Sequence, residues 1–180
     1  MKIAAGFKAH SGWAALVVVG LSSGGFVVVD RRRVELVDEA WAKQPYHAAE
    51  DLPPDEARRL VQRGIGSAHS IAEREMRALI QRATAHEIAG CAVLAGAPMP
   101  DWAVEQILAV HVRMHKAEGV LFPAALIAAA EACNLNVVTI QEKQLPINDA
   151  VAALGKSAGP PWGKDQKCAA SAAMIVLNGG

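Results

Sequence analysis

The sequence predicts an α/β fold: a mixed sheet with helices on both faces, opened by three antiparallel strands. Three observations carry that expectation. Residues 13–29 hold two β-branched blocks, WAALVVV and FVVV, on either side of Ser22-Ser23-Gly24-Gly25. Turn-forming residues between apolar runs of strand length specify a hairpin. Apolar or small residues at 57, 60, 61, 65, 68, 72, 76, 79 and 80 keep helical spacing over about 55–83. Short apolar runs and helical stretches then alternate to the end of the chain, the pattern of strands covered by helices.

Each element follows in order. KIAAGFK (2–8) is a first strand, and KAHSG turns into the second. The second strand shows no polar alternation, so it is expected to be central and buried on both faces. The third runs through Val29 into RRRVELVDE, where Arg33, Val34, Glu35 and Leu36 alternate as on a face that meets solvent. AWAKQPYHAAEDLPP (40–54) reads as a connecting loop, and Pro53-Pro54 with Asp55-Glu56 opens the first long helix. Gly64 and Gly66 weaken its middle. EIAGCAVLAG (87–96) is a buried strand, and helices are expected over about 101–116 and 119–133. NVVTIQ (136–141) is the last strand, 143–164 a Pro/Gly-rich loop, and about 165–177 a final helix. The order is βββ–α–β–αα–β–α in a single domain over residues 1–180.

Composition narrows the function classes. Hydrophobic residues make up 52% of the chain, and Lys+Arg and Asp+Glu balance at 18 each, so no global field draws it to nucleic acid or anionic lipid. A local basic patch remains at Arg31-Arg32-Arg33. The apolar run 13–29 is at the short limit for a membrane span and is broken at its middle by the Ser/Gly turn. Lys2 fits the basic start of an export signal, but Lys8, His10 and Gly12 interrupt before any long apolar stretch. Cys91, Cys133 and Cys168 are odd in number and lack a CxxC pair. The expectation is a protein of the reducing cytoplasm with no membrane partner; homo-oligomer formation is left open.

The opening GFKAHSGWAALVV resembles the first hairpin of bacterial RuvC-like proteins, and PPWGKDQKCAASAAMIVL is similar to their last helix. With the element order, these stretches make nearly the whole chain resemble the ribonuclease H-like superfamily, with a helical pair in place of its second helix. The resemblance implies phosphodiester hydrolysis with two divalent metals, Mg2+ or Mn2+, held by clustered carboxylates. It also implies a nucleic-acid partner. The first-strand acid of that family falls here on Lys8 of Gly6-Phe7-Lys8, and a lysine repels a cation. Asp165 matches the acid of the last helix by position, and Glu73 loosely matches a helix acid. Asp30 lies on the third strand, outside the usual ligand positions.

Bland readings stand beside these. Asp165 can be the N-cap of the last helix, and Glu73 can pair with Arg77 at i,i+4. His111, His115 and Glu118 in HVRMHKAE share a helical stripe that continues Val104, Leu108 and Phe122, so they are expected to face inward. As a group they are candidates for metal binding or acid–base work, with Asp165; the alternative is a buried His–Glu hydrogen bond. His10 and Ser11 border the expected active centre, although Ser11 also suits a simple turn. Lys164, Lys167 and the arginines Arg31, Arg32 and Arg33 are candidates for phosphate contacts, or solvated surface charges. Gly155-Lys156-Ser157 lacks the upstream glycine of a P-loop, and Gly64-x-Gly66 lacks the third glycine of a dinucleotide fingerprint. Two functions follow: a nucleic-acid- or nucleotide-processing protein, or a degenerate, non-catalytic adaptor or assembly domain.

Overall fold

The computed structural model describes residues 1–179 and contains a five-stranded mixed sheet. Its strands are β1 (Lys2–His10), β2 (Trp13–Ser22), β3 (Gly25–Glu35), β4 (Glu87–Leu94) and β5 (Val137–Ile140). They lie in the order β3-β2-β1-β4-β5, with the first three antiparallel and β4 and β5 parallel to β1. The expected hairpins form at Ser11-Gly12, where Gly12 takes φ 85°, and at Ser23-Gly24. Strand β2 is buried on both faces from Ala14 to Gly20 as expected, but β1 occupies the centre of the sheet.

The helices are α1 (Pro45–Ala49), α2 (Pro54–Arg82), α3 (Val104–Leu108), α4 (His111–Ala132), α5 (Asp149–Ala158) and α6 (Lys164–Leu177). Strand alternation sorts the core into two layers. Ile3, Ala5 and Phe7 of β1, with Leu16, Val18, Cys91 and Val93, pack under α2 and α4. Ala4 of β1, with Val17, Val19, Ala92 and Leu94, packs under α5 and α6. A smaller cluster of Tyr46, Ala49, Val61, Ile107, Met114 and Ala117 seats α1 between α2 and α4. Helix α6 lies against β1 at Gly6, where a Cβ would stand 1.9 Å from the Ala169 carbonyl oxygen.

Three expectations are corrected. The connector 40–54 contains a 3-10 turn (Ala40–Lys43) and α1, opened by Pro45 at its first position. The expected helix pair 101–116 and 119–133 divides elsewhere: the break falls at Val110, which is extended, and α4 runs unbroken through Gly119 and Pro123. Burial of Met114, Leu121, Phe122 and Leu126 outweighs the weak helix propensity of those two residues. The expected loop 143–164 contains α5, started by Asn148, whose side chain accepts the Val151 N–H, and anchored by buried Val151 and Leu154. No described helix is long and apolar enough to cross a membrane.

Candidate functional site

In open α/β sheets, ligand sites form outside the carboxyl ends of the parallel strands. Here Lys8 of β1, Leu94 of β4 and Ile140 of β5 stand in register at that end. A cleft of about 530 Å³ opens there, lined by Lys8, Leu94, Gly96, Pro123 and Glu142 among others. Alternation along β1 turns Lys8 and His10 to the face covered by α6.

The groups at this end are paired with one another. Glu142, in the 3-10 turn Glu142–Gln144 after β5, accepts hydrogen bonds from the ammonium groups of Lys8 and of Lys164, the latter at 2.6 Å. The two lysines pull the Glu142 carboxyl down to about 2, the Lys164 hydrogen bond contributing most. Asp165 is the second residue of α6 rather than its N-cap, which is Gly163; the Gln166 side chain accepts the Gly163 N–H instead. That leaves Asp165 Oδ2 free to approach His10 Nε2 to 3.1 Å, outside hydrogen-bonding alignment. His10 stacks on Trp13 at 4.3 Å between ring centroids, and the Arg33 guanidinium lies 4.0 Å from the centroid of the same indole. A band from Arg33 through Trp13 and His10 to Asp165 thus crosses β3, β2 and β1 to α6.

Ser11 is an exposed turn residue, and Lys167 lines a shallow recess with Glu142, Lys164 and Cys168. The three arginines diverge with the pleat. Arg31 donates to the carbonyls of Gly159 (2.7 Å), Pro160 (3.1 Å) and Pro161 (2.5 Å), fixing the loop before α6. Arg32 points to the α2 side, 3.7 Å from Asp30, and burial lowers its pKa. Of the three, only Arg33 reaches the sheet end, where it also pairs with Glu35. Glu73 makes the i,i+4 pair with Arg77, at 2.5 Å.

The donor set at the sheet end does not fit a pair of hard divalent cations. Such ions need an excess of anionic oxygen, whereas Glu142 is neutralised by two lysines and Asp165 faces an imidazole. Leu94 adds no ligand from β4. Cysteine chemistry is also disfavoured, since burial pushes the Cys91 thiol up to about 12 and raises Cys168 as well.

The Glu142 pairing makes a pH prediction. Its carboxyl is depressed when folded, so the pairing stabilises the fold above the ordinary carboxylate pKa of about 4.3. That stability is lost as pH falls toward 2. Glu142 is partly exposed, so the effect should be at most about 1 kcal/mol. In urea titrations, wild type should exceed Glu142→Gln in stability at pH 6, and the two should converge near pH 2. A gap unchanged with pH would refute the pairing.

A second constellation lies on the other layer. His47 of α1 and His111 and His115 of α4 place one ring nitrogen each within 4.8 Å of the others. Glu118, one turn after His115, is 5% exposed and faces inward as expected. Its Oε1 accepts the backbone N–H groups of Tyr46 and His47, both at 3.1 Å, and its Oε2 lies 2.7 Å from His47 Nδ1. The expectation that His111 and His115 also face inward is corrected: both are exposed, on the first turns of α4. Asp165 belongs to the sheet end and does not join them. His47 was hidden in a stretch that reads as connector; the PYHAA run after Gln44, with proline in a helix-opening position, is the signal that could have revealed it.

No family model matches the chain, and no curated protein sequence matches it. Among solved structures, Thermus thermophilus RuvC is similar in fold. Its complex with a Holliday junction substrate aligns with a TM-score of 0.54 at 13% identity, over 97% of this chain and 91% of that one. A second Thermus thermophilus RuvC structure aligns with a TM-score of 0.52 at 13% identity, over 96% and 91%. At this identity the likeness is one of fold alone: the chain has a ribonuclease H-like fold.

Proposed function

We propose that this chain is a nucleic-acid-binding ribonuclease H-like domain whose sheet end grips phosphate and does not cut it by the two-metal route. Lys8 carries the reading, because an ammonium stands on the central strand where the fold's usual chemistry needs a carboxylate. With Lys164 it surrounds Glu142, leaving fixed positive charge rather than an anionic cradle. Lys167, Arg33 and the Trp13 ring extend the surface with cations for phosphate and an aromatic face for a base. The Holliday junction bound by the similar RuvC supports a branched or duplex DNA ligand. His10 and Asp165 sit within this surface as positioning groups.

Binding of a labelled four-way junction and a plain duplex across about 50–200 mM salt tests the proposal. Wild type should bind with a strong salt dependence, and Arg33→Glu and Lys167→Glu should each weaken binding and lower the salt slope by about 1. Mg2+ or Mn2+ should produce no strand cleavage. Cleavage lost in Asp165→Asn would overturn the non-catalytic reading, and failure to bind either DNA would overturn the partner.

A further inference from the structure

We propose that His47, His111 and His115 form a site for a first-row transition-metal ion of the zinc class, with a fourth coordination position open to solvent. This site is separate from the sheet end and does not depend on nucleic-acid binding. Its geometry is that of converging ligands. His115 Nε2 and His111 Nε2 stand 3.0 Å apart, near the roughly 3.3 Å that separates two nitrogens bound at about 2.0–2.1 Å to a tetrahedral ion. The His47 ring lies 4.6 Å from that of His115 and 5.1 Å from that of His111 by centroids, and its Nδ1 is occupied by Glu118. Nε2 is therefore the His47 nitrogen left to bind.

A buried carboxylate supplies the second observation. Metal-bound histidines characteristically turn their other ring nitrogen to a carboxylate, which fixes the ring and raises its basicity. Glu118 does this for His47 at 2.7 Å. Glu50 Oε1 lies 3.8 Å from the corresponding nitrogen of His111, near it but beyond hydrogen-bonding distance. Glu118 thus becomes a positioning residue rather than a ligand, since the backbone of Tyr46 and His47 and the His47 ring already occupy its oxygens. Three imidazoles suit zinc, copper or nickel, whereas Mg2+ demands oxygen ligands. The His111 side chain is 63% exposed and that of His47 22%, so an ion can enter from solvent and keep a water ligand.

The test uses the untagged full chain, stripped by chelator and dialysed against Zn2+ or Co2+. One ion per chain is expected by elemental analysis, with tetrahedral Co2+ absorption and no displacement by millimolar Mg2+. His111→Ala and His115→Ala change exposed side chains, so circular dichroism should stay native while affinity falls at least about 100-fold. Glu118→Gln should weaken binding about 10–100-fold. Uptake that is absent, substoichiometric, or unchanged in both folded histidine variants would overturn the site.

Discussion

Glu118→Ala should lower the free energy of unfolding by about 3 kcal/mol, although it removes no hydrophobic contact of note. The carboxylate is buried and meets four donors: the amides of Tyr46 and His47, the His47 ring and, more weakly at 3.4 Å, the Gln44 side-chain amide. Alanine leaves the two amides without an acceptor, at about 1–3 kcal/mol for each fully buried group. The His47 amide is only partly buried, so the two together should cost about 3 kcal/mol, in the lower part of the summed range of about 2–6 kcal/mol. Glu118→Gln keeps one acceptor oxygen and should lose about 1 kcal/mol. Urea denaturation gives both values, and hydrogen exchange localises them, because the Tyr46 and His47 amides should exchange faster in the alanine variant. A loss below about 1 kcal/mol with unchanged exchange would show that α1 is held by its apolar cluster instead.

Gly6→Ala should be at least as damaging. Its new methyl would stand 1.9 Å from the Ala169 carbonyl oxygen and 3.0 Å from the Ala173 amide nitrogen. Both obstacles are backbone, so no rotamer change relieves them, and α6 must move off the sheet. A loss of about 3 kcal/mol, the upper end for overpacking, should appear as a lower midpoint in thermal and urea unfolding. Gly66→Ala is the matched control. That glycine lies in the interior of α2 and a Cβ there meets nothing within 4 Å, so alanine should stabilise by about 0.5–1 kcal/mol. Equal effects of the two substitutions would contradict the close approach of α6.

The sheet was legible because its signals are local. The Ser/Gly turn divided one apolar run into β2 and β3, and the absence of polar alternation in β2 foretold burial on both faces. The second site was legible only in part. A 100° helical wheel assigns His111 and His115 to the same stripe as Glu118, but it gives angle and not depth along the axis. On the first turns of α4 this flank lies open, whereas one and two turns later Phe122 and Leu126 on the same flank are covered by the main core. His47 depended on α1, a five-residue helix held by tertiary packing, which no periodicity reveals. The ammonium pair on Glu142 was also illegible, since 134 residues separate Lys8 from its partner.

Helix α6 is the last described element of the chain, yet it covers β1, at the opposite end of the described residues. During synthesis, Ala4, Val17 and Val19 therefore lack their lid until residues 164–177 have emerged. Contacts of such sequence separation make folding slow and leave an apolar sheet face open in the meantime. Arg31 can grip the Gly159, Pro160 and Pro161 carbonyls only once that segment exists. The nascent three-stranded meander β1–β2–β3 thus leaves the sheet face of Ala4, Val17 and Val19 open until α6 arrives.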